Sequence, residues 1–135
     1  MENAICVTRT DYQRILNVIG TTSGKPAGGI AGVLIRELER ARMVAPAHVP
    51  GNVVTMNSRV LVREVISGRV TEITVTYPDE AAGVNGKVSV LSPIGIALFG
   101  GREGDIARWR TPSGIGEFRI EKVVYQPEAS GHYHL

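Results

Sequence analysis

Along the first third of the chain, apolar positions recur with helical spacing. Tyr12, Ile15, Leu16 and Ile19 fall at i, i+3, i+4 and i+7, one stripe of an amphipathic helix. Thr10 with Gln13 three residues on fits a capping box, which places the helix start at Thr10. Gly20 is the expected stop, and Thr21 to Lys25 the turn that follows. Pro26 can open a second helix, because a first-turn residue needs no amide partner. Its stripe firms up over residues 30–43, with Ile30, Val33, Leu34, Leu38 and Ala41 on one face and Arg36, Glu37, Glu39, Arg40 and Arg42 toward solvent. Two such helices joined by a short turn predict an antiparallel, coiled-coil-like hairpin over residues 1–45.

After Ala45 the period changes. Pro46, Pro50 and Gly51 mark residues 46–51 as a connector. From residue 52 the alternation is that of strands. Val60 and Val62 alternate with Leu61 and Arg63, and Thr71, Ile73, Val75 and Tyr77 share a face over 69–77. A short strand is expected over 87–91, with Val88 and Val90 inward. Ser92 and Pro93 read as N-cap and first residue of a short helix over 93–99, stopped by Gly100 and Gly101. Two more strands, 105–111 and 117–125, are joined at Pro112-Ser113-Gly114, and Phe118, Ile120 and Val124 are expected on one face of the last. The tail from Gln126 reads as polar and loosely held. The fold class is therefore α+β: a helical hairpin, then residues 52–135 as a largely antiparallel sheet with one short helix and a polar tail.

Composition narrows the function. With 43% hydrophobic and 21% charged residues, the chain has enough apolar content for a core and is not a disordered sequence. A net charge of +2 argues against a nucleic-acid binder, and Arg36, Arg40 and Arg42 are interleaved with Glu37 and Glu39, the pattern of an ion-paired face. No apolar run approaches the ~18 residues that cross a membrane, and the N-terminus has no basic-then-apolar leader, so a cytoplasmic protein is expected. One cysteine, Cys6, excludes an intramolecular disulfide and reads as a small buried side chain.

Chemistry-bearing patterns are sparse. Gly20 to Lys25 imitates a phosphate-binding loop, but it has three residues between its glycines where four are needed, and Pro26 stands where a hydroxyl should follow the lysine. His48, His132 and His134 lie in the connector and tail, too few for a metal site. Asp79-Glu80 reads as a solvated turn. Ser58, Ser67, Ser89, Ser92 and Ser113 lack a GxSxG context or a nearby histidine. The residues point to a binding protein rather than an enzyme, with no cofactor and no metal.

The run Leu91-Ser92-Pro93-Ile94-Gly95-Ile96-Ala97-Leu98-Phe99-Gly100 resembles the "SPI…A…G" segment of the GreA/GreB transcript-cleavage factors. Gly104-Asp105 and Thr111-Pro112-Ser113-Gly114 resemble that family's "GD…TPxG" run. Val54 to Val60, Tyr125 to Ala129 and the short hairpin are similar to a branch described as regulators of nucleoside diphosphate kinase. The resemblance implies an FKBP-like second domain. That domain would dock on RNA polymerase at the rim of the secondary channel through Ser92, Pro93, Ile94 and Gly95, with the hairpin tip at Ser23, Gly24 and Lys25 entering the channel. Gre factors carry acids at that tip, where carboxylates help hold a second Mg²⁺. Here no Asp or Glu occurs between Asp11 and Glu37, and Lys25 would repel a cation. The resemblance thus implies a monomer that regulates elongation without stimulating cleavage and competes with factors that do. Two rivals stand beside it. One is a module acting on another partner, such as a nucleoside diphosphate kinase. The other is a peptidyl-prolyl isomerase, disfavoured because only 5% of the residues are aromatic and such a pocket is lined with aromatics.

Overall fold

The structure, a computed structural model, describes residues 5–23, 29–78 and 86–132. The described chain runs β1 (Cys6–Thr8), α1 (Arg9–Ser23), α2 (Gly29–Glu39), β2 (Arg42–Val44), a 3-10 turn (Pro46–His48), β3 (Arg59–Glu64), β4 (Val70–Thr76), β5 (Lys87–Ser89), α3 (Pro93–Leu98), β6 (Ile106–Thr111) and β7 (Gly114–Tyr125). Five strands form one sheet in the order β5-β4-β3-β7-β6. Only the β4–β5 pairing in it is parallel, so the expected largely antiparallel sheet and mixed α+β class hold.

The N-terminal segment differs from expectation at both ends of its helices. Residues 6–8 and 42–44 are not helix or coil but a two-stranded parallel sheet, Cys6 opposite Arg42 and Thr8 opposite Val44. Strand pairing sets where α1 begins. Thr8, held at the end of β1, accepts the Asp11 amide on Oγ1 at 3.1 Å, so the cap is Thr8 rather than Thr10. The helix then continues through Gly20 to Ser23. A mid-helix glycine costs about 1 kcal/mol, less than the burial of Ile15 and Ile19 on the same helix contributes. Helix α2 ends at Glu39, not Met43, because the next residues are drawn into β2. Leu34 and Leu38 are buried as the stripe predicts, but Val33 is 40% exposed.

Alternation in the sheet matches the sequence at most positions. Val60, Val62, Ile73, Val75, Ala107, Trp109 and Ile120 point into the core, and Ile15, Ile19, Leu34 and Leu38 join the same apolar cluster. Trp109 lies opposite Gly116 across β6 and β7 and stacks on Phe118, with ring centroids 3.9 Å apart and planes 4° off parallel. A Cβ at Gly116 would meet the Phe118 ring at 2.6 Å, so the glycine makes room for the stack. Val124 breaks the expected pattern. Two register shifts between β3 and β7 place Val123 opposite Val60 and leave Val124 38% exposed.

The start of the tail is not loose. Gln126 and Glu128 are buried, and the Gln126 amide donates to the carbonyls of Pro50 at 2.7 Å and Val53 at 2.8 Å. The two bonds donated by Gln126 Nε2 let a polar side chain sit inside, with Oε1 left without a partner among the described residues, which composition alone cannot show.

Candidate docking site

The segment from Ser89 to Gly95 is fixed by interlocking hydrogen bonds. Leaving β5, the Ser89 side chain accepts the Leu91 amide at 3.0 Å, and its carbonyl accepts the Ser92 amide at 2.9 Å. Ser92 caps α3 as its sequence predicts. Its Oγ accepts the Gly95 amide at 3.0 Å and donates to the Ser89 carbonyl at 2.6 Å. Pro93 occupies the first turn, where its missing N–H costs nothing. Gly95 is buried, and a Cβ there would lie 2.0 Å from the Ser89 carbonyl oxygen. Only glycine lets the helix approach the preceding turn so closely. The result is a rigid projection with Pro93 exposed and Ile94 half-buried at its surface.

These four residues carry no titratable group, so the projection can present shape and apolar surface but not acid–base chemistry. The expected hairpin tip is described only in part. Ser23 is the last residue of α1, while Gly24 and Lys25 fall outside the described residues. Asp79-Glu80 and His134 fall outside them as well.

The remaining candidates are dispersed. Cys6 is a free, buried thiol, as expected. His48 is exposed, and His132 meets the Tyr125 hydroxyl at 2.7 Å. Ser58 is committed to Thr55, and Ser67 bonds Glu64. Arg40 pairs with Glu37 at 3.2 Å, in keeping with the ion-paired helix face. Among the described residues no group of three or more His, Cys, Asp or Glu could hold a metal.

Sequence reasoning missed a buried polar cluster at the base of α1. Asp11 is 1% exposed and accepts the Met56 amide on Oδ2 at 3.0 Å. Its Oδ1 is buried and has no partner among the described residues. Beside it, the Thr55 hydroxyl donates to Glu128 Oε1 at 2.7 Å, so the Ser58 hydroxyl must donate to Thr55 Oγ1, 2.7 Å away. Burial pushes the Asp11 carboxyl up to about 7. The Met56 amide opposes this, Glu128 adds to it, and Arg14 and Thr8 oppose it. The signal was present: Thr8 followed by Asp11 three residues later is itself a capping-box pattern.

Residues 49–125 match the family model "Transcription elongation factor, GreA/GreB, C-term", more than half of the chain. This chain belongs to the GreA/GreB family. The match begins at the connector and ends with β7, so it takes in the whole five-stranded sheet, α3 and the Ser92 projection. The Escherichia coli protein "Regulator of nucleoside diphosphate kinase" is 43% identical over 107 residues, covering 78% of this chain and 79% of its own. A "Transcription elongation factor GreA" from a Psychrobacter species is 38% identical over 104 residues, covering 73% of this chain and 65% of its own. A solved GreA/GreB elongation factor from Nitrosomonas europaea superposes with a TM-score of 0.77 at 34% identity, over 92% of this chain and all of that one. Likeness in this GreA/GreB family thus reaches well beyond the part its C-terminal model describes, into the helical segment.

Proposed function

We propose that the protein binds bacterial RNA polymerase at the rim of the secondary channel and regulates elongation without stimulating transcript cleavage, competing there with Gre factors. Residues 1–45 act as a short antiparallel hairpin, 46–51 as a connector, and 52–135 as an FKBP-like docking domain presenting Ser92, Pro93, Ile94 and Gly95. It works as a cytoplasmic monomer and holds no catalytic group. Family membership supports the polymerase as partner. The cap and close packing around Gly95 support the docking role, because a pre-ordered loop pays less entropy on binding.

One observation carries the non-cleaving part. No carboxylate stands between Asp11 and Glu37, and Asp11 itself is buried at the base of α1 rather than carried toward a tip. Reach is also short. Helix α1 has 15 residues and α2 has 11, about 22 and 16 Å at ~1.5 Å per residue. The isomerase reading loses support, because Trp109 and Phe118 stack on each other within the sheet instead of lining a hollow. The reading of a module acting on a nucleoside diphosphate kinase keeps one observation in its favour, the name of the 43% identical relative.

The test is a competition on core polymerase. Labelled Gre factor is titrated with this protein while transcript cleavage is followed. Displacement together with loss of cleavage is expected. Full stimulation of cleavage by this protein alone, or no displacement at high micromolar concentration, overturns the proposal. In the second case a pull-down with the kinase separates the remaining reading.

A further inference from the structure

The ribbon formed by β6 and β7 turns one face to the core and the other to solvent. Ala107, Trp109 and Ile120 are buried, while Ile106, Arg108, Arg110, Ile115, Glu117 and Arg119 are exposed. The register sets these six in three successive cross-strand pairs: Ile106 opposite Arg119, Arg108 opposite Glu117, and Arg110 opposite Ile115. Opposed side chains start about 5 Å apart at Cβ, so each isoleucine stands beside an arginine. Val65 donates its amide to the Glu117 carbonyl at 2.9 Å, which brings the turn between β3 and β4 alongside. Ile115 is 63% exposed, and Ile66 in that turn is 96% exposed.

Charge on this face is not balanced. Glu117 and Glu121 flank Arg119 along β7, but each is held by another arginine at 2.7 Å: Glu117 by Arg108, and Glu121 by Arg63 from β3. The guanidinium groups of Arg110 and Arg119 have no hydrogen-bond or ion-pair partner among the described residues. The face therefore joins two independent features, exposed isoleucines and positive charge without a counterpart. Arginine is enriched at protein interfaces, where its planar fork takes a carboxylate through two hydrogen bonds.

We propose that the outer face of the β6–β7 ribbon docks an acidic protein segment, whose apolar side chains pack on Ile106 and Ile115 while its carboxylates accept from Arg110 and Arg119. Charge complementarity selects this occupant. A second copy of the chain would bring three more arginines against a single carboxylate that Arg108 already holds. A nucleic-acid strand would offer phosphates to the arginines but no aliphatic side chain to the isoleucines. The proposal does not depend on the polymerase reading, since this face and the Ser92 projection use different residues.

The probe is a capped peptide, Asp-Ile-Asp-Phe-Asp, titrated into the full chain while amide and isoleucine methyl shifts are followed by NMR. The controls are a peptide with lysine for each aspartate, one with serine for each apolar residue, a thymidine oligonucleotide, and vesicles of phosphatidylglycerol. Saturable shifts centred on β6 and β7 are expected with the first peptide, at least about tenfold weaker with either peptide control, since each lacks one half of the match. Arg110→Gln with Arg119→Gln should lower its affinity by about tenfold, and Ile115→Ser by about fivefold. All three positions are exposed, so melting should stay that of the parent. The proposal fails if no shift saturates by about 20 mM, a concentration that would register even very weak binding. It also fails if the serine peptide binds as tightly, if the oligonucleotide or the vesicles bind more tightly than the first peptide, or if the double arginine variant binds that peptide like the parent.

Discussion

Replacing Asp11 by Asn should remove most of the protein's pH-dependent stability between pH 4 and 8. In the folded chain the carboxyl titrates at about 7, against 3.8 when exposed. Below pH 3.8 both states hold the proton, and burial costs nothing on this account. As pH rises from 3.8 to about 7, the unfolded chain releases the proton while the folded one keeps it, so stability falls. Above 7 the folded carboxylate is charged, buried and close to Glu128, and the loss is complete. The gap between 3.8 and about 7, at roughly 1.4 kcal/mol per pH unit, comes to about 4 kcal/mol. Asn keeps an oxygen to accept the Met56 amide but has no charge to bury. Urea unfolding of both proteins across pH 4–8 is the assay, read by the fluorescence of Trp109, which is 8% exposed. Taking the difference between variant and parent cancels every titration they share. Asp11→Asn should gain on the parent as pH rises, by up to about 4 kcal/mol, with the gain complete above pH 7. A difference that stays constant from pH 4 to 8 would refute the reasoning, and so would a carboxyl carbon of Asp11 titrating near 4 by NMR.

Gly95→Ala sets a methyl 2.0 Å from the Ser89 carbonyl, so α3 or the preceding turn must shift. Competition with labelled Gre factor should weaken by at least about tenfold, as expected when a docking surface is displaced. Ser92→Ala removes the acceptor of the Gly95 amide and should cost about 1 kcal/mol in urea unfolding. Glu128→Ala leaves the buried Thr55 hydroxyl without its acceptor and should cost about 1–3 kcal/mol, where a loose polar tail would predict no change.

The sheet was legible because β3, β4, β6 and β7 are long enough to show a period of two, and because Ser92-Pro93 and Pro112-Ser113-Gly114 are local signals that need no tertiary partner. What escaped lacks such signals. A three-residue strand such as Cys6–Thr8 has no period to read, and its partner, Arg42–Val44, overlaps the end of the helical stripe expected over residues 30–43. Two overlapping capping patterns, Thr8 to Asp11 and Thr10 to Gln13, were available. Locally they are near equals, and the β1–β2 pairing, formed with residues over 30 positions away, decides for Thr8. The reversal at Val124 has the same character, since a bulge is a property of two strands together.

At the candidate site, sequence and structure inform different things. The identities of Ser92 and Pro93 announce a helix start in any protein, so local grammar cannot separate a docking loop from an ordinary cap. What distinguishes this one is the fit of Gly95 under the Ser89 carbonyl, which costs the chain all freedom to place a side chain there. A helix cap does not need that closeness, since Ser92 would accept an amide just as well above an alanine. The docking role proposed for Pro93 and Ile94 does need it, because it requires both residues held in one place. The buried acid follows a parallel logic. The Asp11 side chain ties α1 to Met56, 45 positions away, at the expense of an oxygen without a partner among the described residues. An apolar residue would avoid that expense but would leave the Met56 amide without an acceptor in the core, so the carboxyl fixes how α1 sits on the sheet rather than adding to stability.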